Sequence, residues 1–235
     1  MYNPSFEDMP RASRQPRGWL NCGWSDESPP DVQPDTTFAV SQEPYHGKTY
    51  LGMVTRDNDT WESIGQRLSK ELEPGQCYSF SVFLARSRTY ISISQATGQR
   101  VNYDTPSVLR IWGGVARCDR RELLAETSRV DHSDWREYKF KFSPTQLHTY
   151  IMFEVTYKMP VLLPTNGNLL VDHASAIVPM PCELEEPVPT RPEADEPPVL
   201  AANTSVPKPP QPKVENNPAP QPNKTNTVKP TPTPK

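Results

Sequence analysis

The chain has 235 residues, a net charge of −3 and a hydrophobic content of 34%. This small negative charge offers no electrostatic basis for a nucleic-acid partner. The sequence contains no apolar run near the roughly 20 residues that a membrane helix needs, so no transmembrane segment is predicted.

Proline is unevenly distributed, and its distribution divides the chain in two. Of the 29 prolines, 15 fall within residues 183–235, a tract with no aromatic residue and no glycine. Such a tract cannot bury enough apolar surface to offset the entropy of ordering. We therefore predict one folded domain at 1–182, followed by a disordered Pro-rich linker or tail at 183–235.

Strand signals occur throughout the first 178 residues. From the N-terminus, Asn-Pro-Ser-Phe-Glu at 3–7 is predicted to form a short first strand, with Phe6 as its apolar anchor. Alternating polarity and β-branched or aromatic residues between turn signals predict later strands. These strands span 48–54, 61–68, 108–112, 135–142, 149–157 and 169–178. Asn-Gly-Asn at 166–168 is typical of a hairpin turn.

The clearest strand lies at 75–86. Tyr78, Phe80, Val82 and Leu84 occupy alternate positions there, which predicts one face in a core. Phe83 makes the opposite face partly apolar, so we expect a central strand rather than an edge. About nine or ten short strands without a long helix predict an all-β fold, an antiparallel jelly-roll β-sandwich.

The four cysteines limit which cross-links and metal sites the chain can form. Cys22, Cys77, Cys118 and Cys182 permit two disulfides in three possible connectivities. The absence of a Cys-x-x-Cys pair argues against a zinc site.

Several aromatic residues have polar neighbours of the kind that bind sugars. An aromatic face stacks on a pyranose, while charged and amide groups bond its hydroxyls. The residues of this kind are Trp61 with Glu62, Arg110 with Trp112, and the loop residues Tyr90 and Tyr103. Because Arg110 and Trp112 are two apart on a predicted strand, they share one face. Trp61, Arg110 and Trp112 are the predicted ligand-binding residues. The alternative is that they are core, with Arg110 paired to a neighbour such as Glu154.

Catalytic motifs are not evident. The four histidines form no His-Glu-x-x-His pair, and there is no Gly-x-Ser-x-Gly elbow. The chain is therefore predicted not to be an enzyme. A cleft with two facing carboxylates would instead indicate a hydrolase.

Four motifs together resemble galactose-binding-like β-sandwiches, the carbohydrate-binding modules of family 4/9 type. They are Asn-Pro-Ser-Phe-Glu at 3–7, Leu-x-x-Gly-x-x-Tyr-x-Phe-Ser at 72–81, Trp-x-x-Tyr at 135–138 and Asn-Leu-Leu-Val-Asp at 168–172. The resemblance spans about 1–178 and implies a non-catalytic module of an exported bacterial surface protein. Its expected partners are a glycan or surface polysaccharide, and other surface proteins.

The resemblance also implies a structural calcium ion. In the family, its ligands come from the acidic residue of the first strand, that of the last strand, and backbone carbonyls of a loop. The matching positions are Glu7 and Asp172, with the loop near 46–48. Calcium takes six to eight oxygen ligands, and acidic residues at the two ends of one sandwich can meet on neighbouring strands.

The same resemblance implies a localisation, and a competing function stays open beside it. The implied location is secreted, periplasmic or at the cell surface. The given chain shows no signal peptide, so its natural start is expected upstream. The alternative function is a β-sandwich for adhesion or protein–protein assembly, without a sugar site. Exposed aromatic residues on a sheet face or loop rim would favour sugar binding over this alternative.

Overall fold

The computed structural model describes residues 1–157 and 163–182. Within these ranges the chain is all-β, with one 3-10 helix at Thr36–Phe38. The strands are β1 (Leu20–Asn21), β2 (Asp31–Gln33), β3 (Tyr50–Thr55), β4 (Ser63–Leu72), β5 (Cys77–Ala85), β6 (Ile91–Ile93), β7 (Arg100–Asn102), β8 (Thr105–Pro106), β9 (Val108–Gly114), β10 (Glu122–Glu126), β11 (Arg136–Phe142), β12 (His148–Thr156), β13 (Gly167–Asp172) and β14 (Val178–Met180). The predicted tail at 183–235 lies outside the described residues.

Two large sheets form an antiparallel jelly-roll sandwich, as predicted. Among the described strands, one sheet has the order β1-β4-β12-β9-β10. The other has the order β11-β5-β13-β3-β2, with β14 beside β5 and β8 beside β13. The chain crosses between the sheets from β4 to β5, from β10 to β11 and from β12 to β13, which is jelly-roll connectivity. The short β6–β7 hairpin forms a third, separate pair.

The strand β5 confirms the prediction made for residues 75–86. It pairs with β11 along one edge and with β13 and β14 along the other, so it is internal to its sheet. Tyr78, Phe80, Val82 and Leu84 are all buried, and the residues between them are partly exposed. Burying each of these side chains contributes roughly 1.5–3 kcal/mol. The core therefore begins on the inner face of this strand.

The N-terminal segment is a turn rather than the predicted first strand. The amide of Phe6 donates to the carbonyl of Asn3, and Phe6 adopts a left-handed backbone conformation with φ 56°. The anchor role predicted for Phe6 nevertheless holds, because its ring is fully buried. It packs against Trp19, which packs in turn against Phe153 of the core. Apolar packing and side-chain hydrogen bonds, not strand pairing, therefore attach this segment to the sandwich.

A second prediction was wrong at 166–168. Gly167 and Asn168 begin β13 and pair with β3 instead of forming a hairpin turn. The Asn168 side chain is buried and bonds the backbone of Ser87 and Tyr103. Asn168, a residue type common in turns, occurs in this strand because its side-chain amide binds the backbone of a neighbouring loop.

A second apolar cluster covers the outer face of the seven-stranded sheet. Residues 86–104, including the β6–β7 hairpin, supply Tyr90 and Tyr103, which pack on Tyr50, Val54 and other outward residues of the sheet. Because this face is covered, the sheet is apolar on both sides. We call this group the outer cluster.

All four cysteines are paired. The disulfides are Cys22–Cys118 and Cys77–Cys182, one of the three possible connectivities. The first ties the loop after β9 to the end of β1, and the second ties the segment after β14 to the start of β5. In the described part of the chain, no helix is long and apolar enough to cross a membrane.

Candidate functional site

Arg110 and Trp112 lie on the outer face of β9, and both are half-buried. The strand β10 pairs Glu126 with Arg110, and the two side chains form an ion pair with a separation of 2.7 Å between Nε and Oε2. The alternative partner considered above, Glu154, is the cross-strand neighbour of Arg110 on the other side. The structure pairs Arg110 with Glu126 instead, which leaves the Glu154 carboxylate for other donors.

Glu154 fixes the orientation of Trp112. The indole Nε1 donates to Glu154 Oε1 over 3.1 Å, and Arg120 Nε binds Glu154 Oε2 at 2.5 Å. Only 2% of Glu154 is exposed, so its charge depends on these partners rather than on water. The ring of Trp112 is therefore held by a buried carboxylate that a second charged group neutralises.

The loop at 115–121 covers part of the same sheet face. Cys118 in this loop is joined to Cys22, and Gly114 is needed beneath it because a Cβ there would overlap with the backbone of Asp119. Met152, the cross-strand neighbour of Trp112 on β12, is consequently buried. The neighbour of Trp112 on β10, Leu123, is 43% exposed. Trp112 and Leu123 thus form an apolar platform at the open side of the loop.

Trp61 belongs to a different aromatic cluster. Its ring packs edge-on against Trp24 at 5.7 Å and Tyr157 at 6.0 Å. Trp61 is half-buried, whereas Trp24 is 47% exposed. Among the described residues, the buried indole Nε1 of Trp61 has no hydrogen-bond partner. The sequence prediction therefore named Trp61 and missed the more exposed Trp24, because no local motif distinguishes that residue from a core tryptophan.

Tyr90, Tyr103 and Glu62 were grouped with the sugar-binding residues on sequence, but they are buried. The two tyrosine rings form part of the outer cluster. Glu62 is 3% exposed and forms an ion pair with Arg56. Rings without an exposed face cannot stack on a sugar, so the two tyrosines are not stacking platforms.

A groove that sequence reasoning missed lies beside the outer cluster. Its volume is about 560 Å³, and the half-buried Trp135 is part of its lining. The Trp135 indole donates to the Glu43 carbonyl over 2.8 Å, and the exposed Arg88 bonds the Ser133 hydroxyl. The groove is lined by Ser41, Gln42, Glu43, Ser87, Arg88, Thr89, Ser133, Asp134 and Trp135. The adjacent Asp134-Trp135 pair was the available signal, but Trp135 was interpreted only as a strand residue.

The two predicted calcium ligands approach one loop, residues 46–49. Glu7 accepts hydrogen bonds from the Lys48 amide and the Thr49 hydroxyl. Gly47 lies directly against the Glu7 carboxylate, so any side chain there would collide with it. Asp172 accepts the amide of His46 over 2.9 Å. The two carboxylates therefore both accept hydrogen bonds from this one loop, and the calcium ion itself stays a prediction.

The chemistry of this loop limits how an ion would be held. The loop turns amide groups toward both carboxylates, and Ser5 also bonds Asp172. Burial raises the pKa of Asp172 to about 6, although these hydrogen bonds oppose the shift. In the described ranges, no three His, Cys, Asp or Glu side chains are arranged to hold a metal. A calcium ion bound by Glu7 and Asp172 would need backbone carbonyls or water for its remaining ligands.

Comparison with known proteins adds a fold likeness. Neither a family model nor a curated protein matches the chain. A solved structure titled "CBM22-1 xylan-binding domain" from Paenibacillus barcinonensis is 14% identical, with a TM-score of 0.43, and covers 76% of this chain and 93% of its own. A structure titled "CBM4 structure and function" is 13% identical, with a TM-score of 0.41. The match covers 76% of this chain and 98% of that structure. The K1 adhesin domain of Lys-gingipain from Porphyromonas gingivalis is 9% identical, with a TM-score of 0.45, covering 72% and 93%. At identities and TM-scores this low, these likenesses carry no argument about binding.

Proposed function

We propose that this domain is a non-catalytic carbohydrate-binding module of an exported or surface protein, with a glycan or surface polysaccharide as its ligand. The observation that carries the proposal is the platform on β9 and β10. There the half-buried indole of Trp112 lies beside the exposed Leu123, and Glu154 fixes its orientation. The Arg110–Glu126 pair supplies donors and acceptors along the same face.

Such a platform suits a sugar ring for physical reasons. The face of an indole presents a large apolar surface, and its position costs little further entropy because Glu154 already holds it. Arg110 offers donors on one side and Glu126 offers acceptors. In this proposal Trp61, with Trp24, forms a second contact at the rim of the same domain.

The two disulfides support an exported protein. Structural disulfides form and persist in oxidising compartments and are rare in the cytosol. Both bonds span long separations, 96 and 105 residues, so they stabilise the whole sandwich rather than a single turn.

A glycan array probed with the full chain tests the proposal, followed by titration of the best polysaccharide. Trp112→Ala should weaken binding roughly tenfold or more, since losing a central aromatic contact commonly costs about 2 kcal/mol. Trp112→Phe keeps an aromatic face and should retain most of the affinity. Trp135→Ala is the matched indole control in the other groove.

Each outcome assigns a site or removes one. Loss of binding in Trp135→Ala, with Trp112→Ala unaffected, would move the site to the groove at Trp135. A further variant, Trp61→Ala, tests the rim. If no polysaccharide on the array binds the folded protein, the sugar-binding function is wrong. The adhesive alternative, binding another surface protein, would then be the one to pursue.

A further inference from the structure

A second cavity lies between the outer cluster and the loop that carries Trp24. Its volume is about 290 Å³, near the lower end of the range for small-molecule sites. It is lined by Asp26, Glu27, Ser28, Asp31, Phe38, Val54, Arg56, Glu62, Tyr90, Ser92 and Gln95. A cavity of this size accommodates one ring rather than a chain, and its lining contains several charged groups with little access to water.

The centre of this charge cluster is Arg56, which is 4% exposed. Its Nη2 binds Glu62 Oε1 at 2.5 Å and the Ser28 hydroxyl at 2.9 Å, and its Nε binds Glu27 Oε2 at 3.3 Å. Its Nη1 is also buried, yet it has no hydrogen-bond partner among the described residues. Leaving a buried donor unsatisfied costs about 1–3 kcal/mol, more for a charged group, so Nη1 calls for an acceptor.

The carboxylates in the cavity are held in place rather than free. Glu62 Oε2 accepts the amide of Val54 over 3.0 Å, in addition to its pair with Arg56. Asp31, which is 3% exposed, accepts hydrogen bonds from the Tyr90 hydroxyl and the Ser13 amide. Because both are engaged by fixed donors, neither is arranged as a free acid or nucleophile of a hydrolase.

The charges limit the class of ligand. An anionic ligand would meet four carboxyl groups against one guanidinium, and the two more accessible of them, Asp26 and Glu27, would repel it. A simple cation would leave the Nη1 donor of Arg56 without an acceptor. A neutral polyhydroxyl ligand satisfies both kinds of group, because each hydroxyl accepts one hydrogen bond and donates another. Half-exposed Phe38, stacked on Tyr90 at 5.4 Å, offers an apolar face to the same ligand.

We propose that this cavity binds one neutral monosaccharide unit at the end of a glycan, with Arg56 donating to a hydroxyl and the carboxylates of Glu62 and Asp31 accepting from others. The choice of sugar as the polyhydroxyl class rests on the proposed carbohydrate-binding function. The platform at Trp112 would then contact a chain along its side, while the cavity receives a chain end.

The test uses the full chain and four probes: the methyl glycosides of glucose, galactose, mannose and xylose. Saturation-transfer NMR measures binding of each one. At least one should bind, with shifted amide resonances at Val54 and Ser92. Ser92→Phe fills the cavity from its half-exposed rim without removing a buried charge, and should abolish this binding. Gln95→Trp, at an exposed rim position, is the second variant if Ser92→Phe fails to fold.

Comparison with the platform separates the two proposals. Trp112→Ala should leave monosaccharide binding unchanged, while the Ser92→Phe protein should keep its affinity for the side of a polysaccharide chain. Failure of all four probes, or binding that survives both rim variants, overturns the cavity site without affecting the platform. Release of reducing sugar from a polysaccharide, lost in Glu62→Gln, would identify a hydrolase and overturn the binding-only role.

Discussion

Trp112 and Glu154 are joined by a 3.1 Å hydrogen bond across neighbouring strands, and Glu154 is neutralised in turn by Arg120. Removing Arg120 leaves a buried carboxylate with a single neutral donor. Arg120→Ala should therefore lower the free energy of unfolding by about 3 kcal/mol, the lower part of the range for a broken buried pair, since 39% of the Arg120 side chain is exposed. Urea denaturation followed by Trp fluorescence measures the change.

Two variants make that prediction specific. Arg121→Ala removes the neighbouring arginine, whose partner Asp119 is more exposed, and should cost less than about 1 kcal/mol. Arg120→Ala combined with Glu154→Gln should recover much of the stability, because the orphaned charge is gone. Equal losses for Arg120→Ala and Arg121→Ala would contradict a buried pair.

The two disulfides allow a matched comparison. They close loops of similar length, with separations of 96 and 105 residues, so their entropic contributions should be nearly equal, at about 4–5 kcal/mol in the chain-entropy estimate. Replacing Cys22 and Cys118 by Ala also releases the loop at 115–121 from the face beside Trp112. This double variant should change the near-UV circular dichroism of tryptophan as well as the stability.

The other disulfide is the control for that comparison. Replacing Cys77 and Cys182 by Ala should lower the stability by a similar entropic amount, with Trp112 and its surroundings left intact. Polysaccharide affinity should therefore change in the first double variant and not in the second. A loss of affinity confined to the second would show that the loop at 115–121 does not shape the platform.

Stability should depend on pH through the cavity carboxylates. Burial raises the pKa of Asp31 to about 6, against hydrogen bonds that lower it. Burial also raises the pKa of Glu62 to about 8, although Arg56 opposes the shift. Because both values are higher in the folded chain, folding favours the protonated forms. The contribution of these two groups to the free energy of unfolding should thus be greatest near pH 4. It should fall as the pH rises toward 8.

The Asp31 contribution can be isolated. Its shift from 3.8 to about 6 corresponds to at most about 3 kcal/mol. Asp31→Asn should flatten the lower part of the pH profile between 4 and 6, since the group can no longer ionise. Asp131→Asn, at an exposed position, is the control for loss of one carboxylate. Denaturation at constant ionic strength across this range gives both profiles, and an unchanged slope in Asp31→Asn would contradict the assignment.

Calcium remains a prediction, and chelation tests it. If Glu7 and Asp172 hold an ion, EDTA should lower the melting temperature and added calcium should restore it. Asp172→Ala should remove the difference between the two conditions. Differential scanning calorimetry, with metal content measured by mass spectrometry, provides the readout. An identical melting temperature with and without chelator, in metal-free protein refilled with calcium, would exclude the site.

The sequence by itself determined the class of fold and the position of its central strand. At Tyr78, Phe80, Val82 and Leu84 the signal is local, because successive side chains of a strand point to opposite faces. The shared face of Arg110 and Trp112 followed from the same rule. Such predictions need no knowledge of which strands are neighbours.

Only the tertiary structure decided the partners. Arg110 has an acidic cross-strand neighbour on each side, and the observed geometry pairs it with Glu126 rather than Glu154. The pairing of four cysteines and the meeting of Asp31 with Glu62 in one cavity depend likewise on contacts between segments far apart in sequence. Alternation along a strand determines which face of the sheet a side chain points to. Which residues of other strands lie next to it depends on the sheet order and the register, and these two are set by packing of the whole chain.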